Sequence, residues 1–162
     1  MKLDLANVHP WLMERVRETL ADFREETGKR AFIVSGYRGL EQQRALYAAY
    51  QSGRGGRAAP AGSSAHNYGL AVDVNVAGVQ ATSREGRRLY GALHRVAARY
   101  GLANIAAQAP DDPYHLQVPN WRRYVGRTVE GRYTVDRTSR RTRVRSRAPM
   151  RRRRTMYRRQ RR

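Results

Sequence analysis

Ser64-Ala65-His66-Asn67-Tyr68-Gly69-Leu70-Ala71-Val72-Asp73 leads from a loop of small residues into an alternating segment. From Leu70 to Val76 the apolar Leu70, Val72, Val74 and Val76 fall on one side, and Ala71, Asp73 and Asn75 on the other. That period of two predicts a strand with one polar face. A carboxylate placed among valines is costly to bury unless a cation or a hydrogen-bond network compensates it. Asp73 therefore needs a partner, and His66 stands seven residues before it, where the loop meets the strand.

Upstream, Leu12, Val16, Leu20 and Phe23 recur at helical spacing between Pro10, suited to a first turn, and Gly28, suited to a C-terminal stop. This predicts an amphipathic helix over 10–27. Ala31-Phe32-Ile33-Val34-Ser35 reads as a short strand that delivers Tyr37 and Arg38 to its tip, and a second helix is expected from about Leu40 to Gln51. The glycines at 53, 55 and 56 and the Pro60 to Ser64 stretch predict a flexible loop. Downstream, Ser83 to Tyr100 predicts a third helix, with Ser83 as N-cap, Leu89, Leu93, Val96 and Ala97 inward, and Gly101 beyond its end. Tyr114-His115-Leu116-Gln117-Val118 alternates again and puts His115 and Gln117 on one face. Pro119 ends that strand, and a short helix through Trp121 and Tyr124 closes the domain.

A chain of 162 residues suits one domain with an appendage. The net charge of +20 is divided unevenly. Residues 1–119 hold 15 Lys and Arg against 11 Asp and Glu, while residues 120–162 hold 18 Arg against Glu130 and Asp136. The basicity therefore belongs to the end of the chain and says little about the front domain's chemistry. Apolar residues become sparse from Gly126 onward. We expect one folded domain over 1–125 and an Arg-rich tail over 126–162, disordered by self-repulsion. The N-terminus lacks the apolar run of a secretory signal, and no stretch of about 18 apolar residues exists. The expectation is a protein made in the cytoplasm without a transmembrane segment.

Cysteine is absent, so disulfides, iron-sulfur clusters and thiolate zinc sites are excluded. A catalytic zinc usually takes three protein ligands, here two histidines and a carboxylate. His9, at the mouth of the first helix, and His94, within the third among Arg95 and Arg99, read as surface or boundary residues. His66 and His115 remain. Taken singly, Asp73 reads equally well as a structural acceptor and a strand histidine as a donor to a backbone carbonyl; the case lies in their combination.

The segment Ser64 to Asp73 matches S-x-H-x-x-G-x-A-x-D and thereby resembles the metallopeptidases that include D-alanyl-D-alanine carboxypeptidases and phage L-alanyl-D-glutamate endopeptidases (peptidase family M15). Asp112-Pro113-Tyr114-His115 is similar to that family's second signature, and Ser35-Gly36-Tyr37-Arg38 with Gln43 to its first block. The resemblance spans about Val8 to Val118. Gly39 departs from it where Ser or Thr is usual, Asp112 where several members have Glu, and Ala103 to Ala107 where the phage branch is tryptophan-rich.

The resemblance implies an α+β fold of the hedgehog/D-Ala-D-Ala peptidase type, a small antiparallel sheet flanked by about three helices. It implies a Zn2+ cofactor held by His66, Asp73 and His115, Asp112 as general base and acid, and Arg38, Ser64 and Tyr114 at the substrate. Asp111 adjoins Asp112, and the register of the pattern selects the latter. The implied substrate is the stem peptide of peptidoglycan. Such an enzyme without a signal would reach the wall as a phage endolysin after release, or inside a virion. Two other readings stand beside it: a D-Ala-D-Ala carboxypeptidase, and an inactive virion protein that binds nucleic acid. The tail is expected to bind a polyanion, either wall polymer or nucleic acid.

Overall fold

The computed structural model describes residues 3–105, 109, 112–127 and 133–135. Their elements run α1 (Pro10–Thr27), β1 (Ala31–Ser35), α2 (Leu40–Gln51), a 3-10 turn (Ala65–Tyr68), β2 (Ala71–Val76), α3 (Arg84–Arg99), β3 (His115–Gln117), a second 3-10 turn (Trp121–Tyr124), β4 (Val125–Arg127) and β5 (Tyr133–Val135). This is the expected α+β architecture, with β1, β2 and β3 forming an antiparallel sheet in that order.

The helix ends follow local chemistry. His9 caps α1 by accepting from the Trp11 backbone N–H, and Gly28 closes it in the left-handed conformation. Ser83 accepts from Gly86 N–H at the start of α3. The core lies between the sheet and the paired helices α1 and α3. It is filled by Leu12, Val16 and Phe23 from α1, Leu89, Leu93 and Val96 from α3, and Val72, Val74 and Leu116 from the sheet. Most of that side-chain area leaves water on folding, at about 25 cal/mol per Å² of apolar surface. The second helix of the sequence reading, α2, behaves differently: only Gln43 on it is buried, and it stands beside the candidate site.

Two of the glycines required by close approach flank the site. Gly69 has φ of 66°, and a Cβ there would lie 2.2 Å from the Asn7 carbonyl oxygen. A Cβ on Gly36 would lie 2.4 Å from the carbonyl oxygen of Asp4. The N-terminal segment thus packs directly on the two turns that flank the site, fastened by His9 N–H to Gly69 O at 2.9 Å and Tyr37 N–H to Asp4 O at 2.9 Å.

Beyond β3, Trp121 stacks on Tyr68 with ring centroids 5.2 Å apart, which ties the second 3-10 turn to the first. β4 and β5 pair antiparallel, Val125 opposite Val135 and Arg127 opposite Tyr133. This hairpin crosses residue 126, where the sequence reading begins the tail. Apolar residues there are too few for periodicity to reveal a strand, and backbone pairing needs no such pattern. Residues 128–132 and 136–162, on which the disordered-tail expectation falls, lie outside the described residues.

Candidate metal and catalytic site

Antiparallel pairing sets Asp73 of β2 directly opposite His115 of β3. Both side chains leave the polar face of the sheet. The 3-10 turn, begun by Ser64 accepting from His66 N–H at 3.3 Å and ended by Gly69, swings His66 over that face. Three atoms then converge: His66 Nε2 lies 3.2 Å from Asp73 Oδ1 and 3.3 Å from His115 Nδ1, and His115 Nδ1 lies 3.3 Å from Asp73 Oδ1. Among the described residues this is the group of histidines and acids that could hold a metal ion.

The triangle fits zinc. Tetrahedral coordination at about 2.0–2.1 Å spaces ligand atoms about 3.3–3.4 Å apart. The outer ring atoms support it. His66 Nδ1 donates to the Gly36 carbonyl at 2.7 Å, and His115 Nε2 donates to Gln117 Oε1 at 3.0 Å. With their protons on those outer nitrogens, two neutral rings direct lone pairs at each other and at a carboxylate oxygen. Only a cation, or an added proton, relieves three acceptors at that distance. Burial lowers His66 below its ordinary 6.5 against the pull of Asp73, which favours the neutral, ligating form. Burial also opposes the charge on Asp73, yet His115, His66 and Arg38 together outweigh it and hold that carboxyl far below the ordinary range.

Arg38, at the tip of β1, is fixed by its fork: Nε donates to Ser35 Oγ at 3.0 Å and Nη2 to Asp73 Oδ2. Asp73 thereby keeps Oδ1 for the triangle. Asn67 Nδ2 donates to the Arg38 carbonyl at 2.9 Å, and Arg38 N–H to the His66 carbonyl at 3.1 Å, so the first and second sequence blocks are stitched together.

A cleft of about 740 Å³ opens over the triangle, and Arg38, Ser64, Asp112 and Tyr114 all line it. Every site residue expected from sequence therefore borders one cavity. Asp112 sits within reach of the triangle's charges; burial first, and the negative charge of Asp73 second, raise its carboxyl above the ordinary 3.8. Gln43, also lining the cleft, donates Nε2 to the Ala59 carbonyl at 2.7 Å and leaves its buried Oε1 without a partner among the described residues.

His94, read from sequence as a surface or boundary residue, makes a contact that the sequence did not show. It is half-buried, and its ring donates to the Pro113 carbonyl at 2.8 Å, next to Asp112. No periodicity marks such a contact, which joins residues 19 apart through a backbone atom. Gln117 was legible, being two positions after His115 on the same strand face.

The profile of the family described as VanY, D-alanyl-D-alanine carboxypeptidase, matches residues 6–127. No curated protein matches this sequence. Among solved structures, the vancomycin-resistance D,D-pentapeptidase VanY from a VanB-type cassette, in complex with Zn(II), is 22% identical, with a TM-score of 0.52 over 68% of this chain and 72% of its own. The L-Ala D-Glu endopeptidase ChiX of Serratia marcescens is 25% identical, with a TM-score of 0.52 over 74% of this chain and 86% of its own. DacB of Streptococcus pneumoniae is 22% identical, with a TM-score of 0.54 over 70% and 67% respectively.

Proposed function

Because the chain belongs to the VanY D-alanyl-D-alanine carboxypeptidase family, we propose that it is a zinc-dependent peptidase of bacterial cell wall that cuts stem peptides, and more finely an L-alanyl-D-glutamate endopeptidase of lysin type. The observation that carries the enzyme reading is the triangle of His66 Nε2, Asp73 Oδ1 and His115 Nδ1, with edges of 3.2–3.3 Å, beside an acid in the same cleft. An inactive virion protein would need neither the pinned ring tautomers nor the acid. The match to ChiX over 86% of that endopeptidase is what supports the finer reading.

His66, Asp73 and His115 would hold the zinc, which when bound lowers the pKa of water toward about 7 and polarises the scissile carbonyl. Asp112 takes a proton from the attacking water at its carboxylate and delivers it to the leaving amine nitrogen. Its ionised form is the working base. Arg38 steadies Asp73 and turns its remaining N–H groups to substrate carbonyl or carboxylate oxygen. Ser64 and Tyr114 border the substrate from the loop and from the turn before β3.

The test is mass spectrometry of purified muropeptides after incubation with zinc-loaded protein, with Asp112→Ala as control. Fragments released between L-alanine and D-glutamate support the finer reading. Loss of a terminal D-alanine alone replaces it with the carboxypeptidase, and intact muropeptides reject the enzyme.

A further inference from the structure

We propose that His94 is a positioning residue that clamps the Asp112–His115 turn to α3 and so sets where the Asp112 carboxyl stands over the metal triangle. This rests on the reading of Asp112 as the proton carrier.

The turn has little of its own to hold it. Pro113 has no N–H to donate, and β3 beyond it is three residues long. What fixes the turn are contacts of its backbone. Asp112 N–H donates to the Ala109 carbonyl at 2.9 Å, and the Tyr114 carbonyl accepts from Val74 N–H of β2 at 2.9 Å. Between them, the Pro113 carbonyl accepts from His94 Nε2 at 2.8 Å. That carbonyl belongs to the peptide joining Pro113 to Tyr114, so it stands one residue from the acid and two from a zinc ligand. Tyr90, one helical turn before His94, acts beside it: its ring meets Tyr114 edge-on at 5.3 Å, and its hydroxyl accepts from Val76 N–H at 3.2 Å. One face of α3 therefore holds the turn and the strand bearing Asp73 in a common register. Without His94 the middle of the turn loses its anchor, and displacing a catalytic group by about 1 Å costs roughly 100-fold in rate.

His94→Ala and His94→Gln separate positioning from mere support, because the glutamine amide can present an N–H near the place of Nε2. In the full-length, zinc-loaded protein, His94→Ala is expected to lower kcat by about 10- to 100-fold with KM nearly unchanged. Zinc content should hold at the wild-type value, and His94→Gln should recover most of the rate. Equal losses in both variants, a loss residing in KM, or no loss overturns the proposal. Hydrogen exchange decides independently of turnover: His94→Ala should speed exchange at the amides of Asp112 and Val74 while the interior of α3 stays protected, and unchanged exchange overturns the clamp. If wild-type protein cleaves no muropeptide, the functional reading fails, and the exchange result alone still stands or falls.

Discussion

The roles proposed for Asp112 and Arg38 place different demands on single residues of the cleft. In metal-free protein, burial and the Asp73 charge raise the Asp112 carboxyl. A raised carboxyl pKa means that folding favours the protonated form; that stabilisation is complete below the unfolded value and is lost as pH rises through the folded one. Above the folded value the ionised Asp112 therefore opposes folding. Metal-free Asp112→Asn is expected to melt above metal-free wild type at pH 7 in calorimetry, with the gap closing in acid, while zinc-loaded turnover falls by about 10²- to 10⁴-fold. A variant melting no higher at pH 7 contradicts the assignment. Arg38 spans Ser35 and Asp73 with one rigid fork, which a lysine cannot reproduce. Arg38→Lys should weaken zinc binding by about 10- to 100-fold in a chelator competition. Full zinc affinity in that variant would leave Arg38 with substrate contacts only.

At the scale of elements, the site is built where the 3-10 turn meets β2, and Gly69 governs that junction. Its positive φ and the nearby Asn7 carbonyl leave no room for a side chain. Gly69→Ala combines a left-handed penalty with overlap and should destabilise the fold by about 2–5 kcal/mol, read from urea unfolding. A cost under about 0.5 kcal/mol, within the range of neutral surface changes, would show that the N-terminal segment readily moves aside. The helices and strands of this region were legible because each shows its period and its caps: α1, β1 and α2 fall on the predicted ranges, and β2 and β3 within a residue or two at their ends. The β4–β5 hairpin was not, since two three-residue strands carry too few apolar positions to show alternation.

For the whole molecule, charge and chemistry are separate along the chain. Residues 136–162 contain 14 arginines and one acid, Asp136, whereas the triangle and the cleft lie wholly upstream. Removing 136–162, which spares β5, should leave muropeptide turnover within about twofold while abolishing salt-sensitive binding to whole walls or to DNA in a sedimentation assay. Unchanged binding would place the polyanion contact on the domain itself. Among the described residues no helix is long and apolar enough to cross a membrane. By itself the sequence indicated the element order from α1 to β3 and singled out His66, Asp73 and His115 as candidate ligands, because periodicity and donor chemistry are local properties of a chain. Only the tertiary structure decided that Asp73 faces His115 across a strand pair, that the Gly36 carbonyl orients the His66 ring, that Arg38 holds the other oxygen of Asp73, and that His94 reaches the turn beside Asp112. The contact of Arg38 with Asp73, for one, joins residues 35 positions apart. Such contacts arise from strand register and helix packing, which no local pattern records.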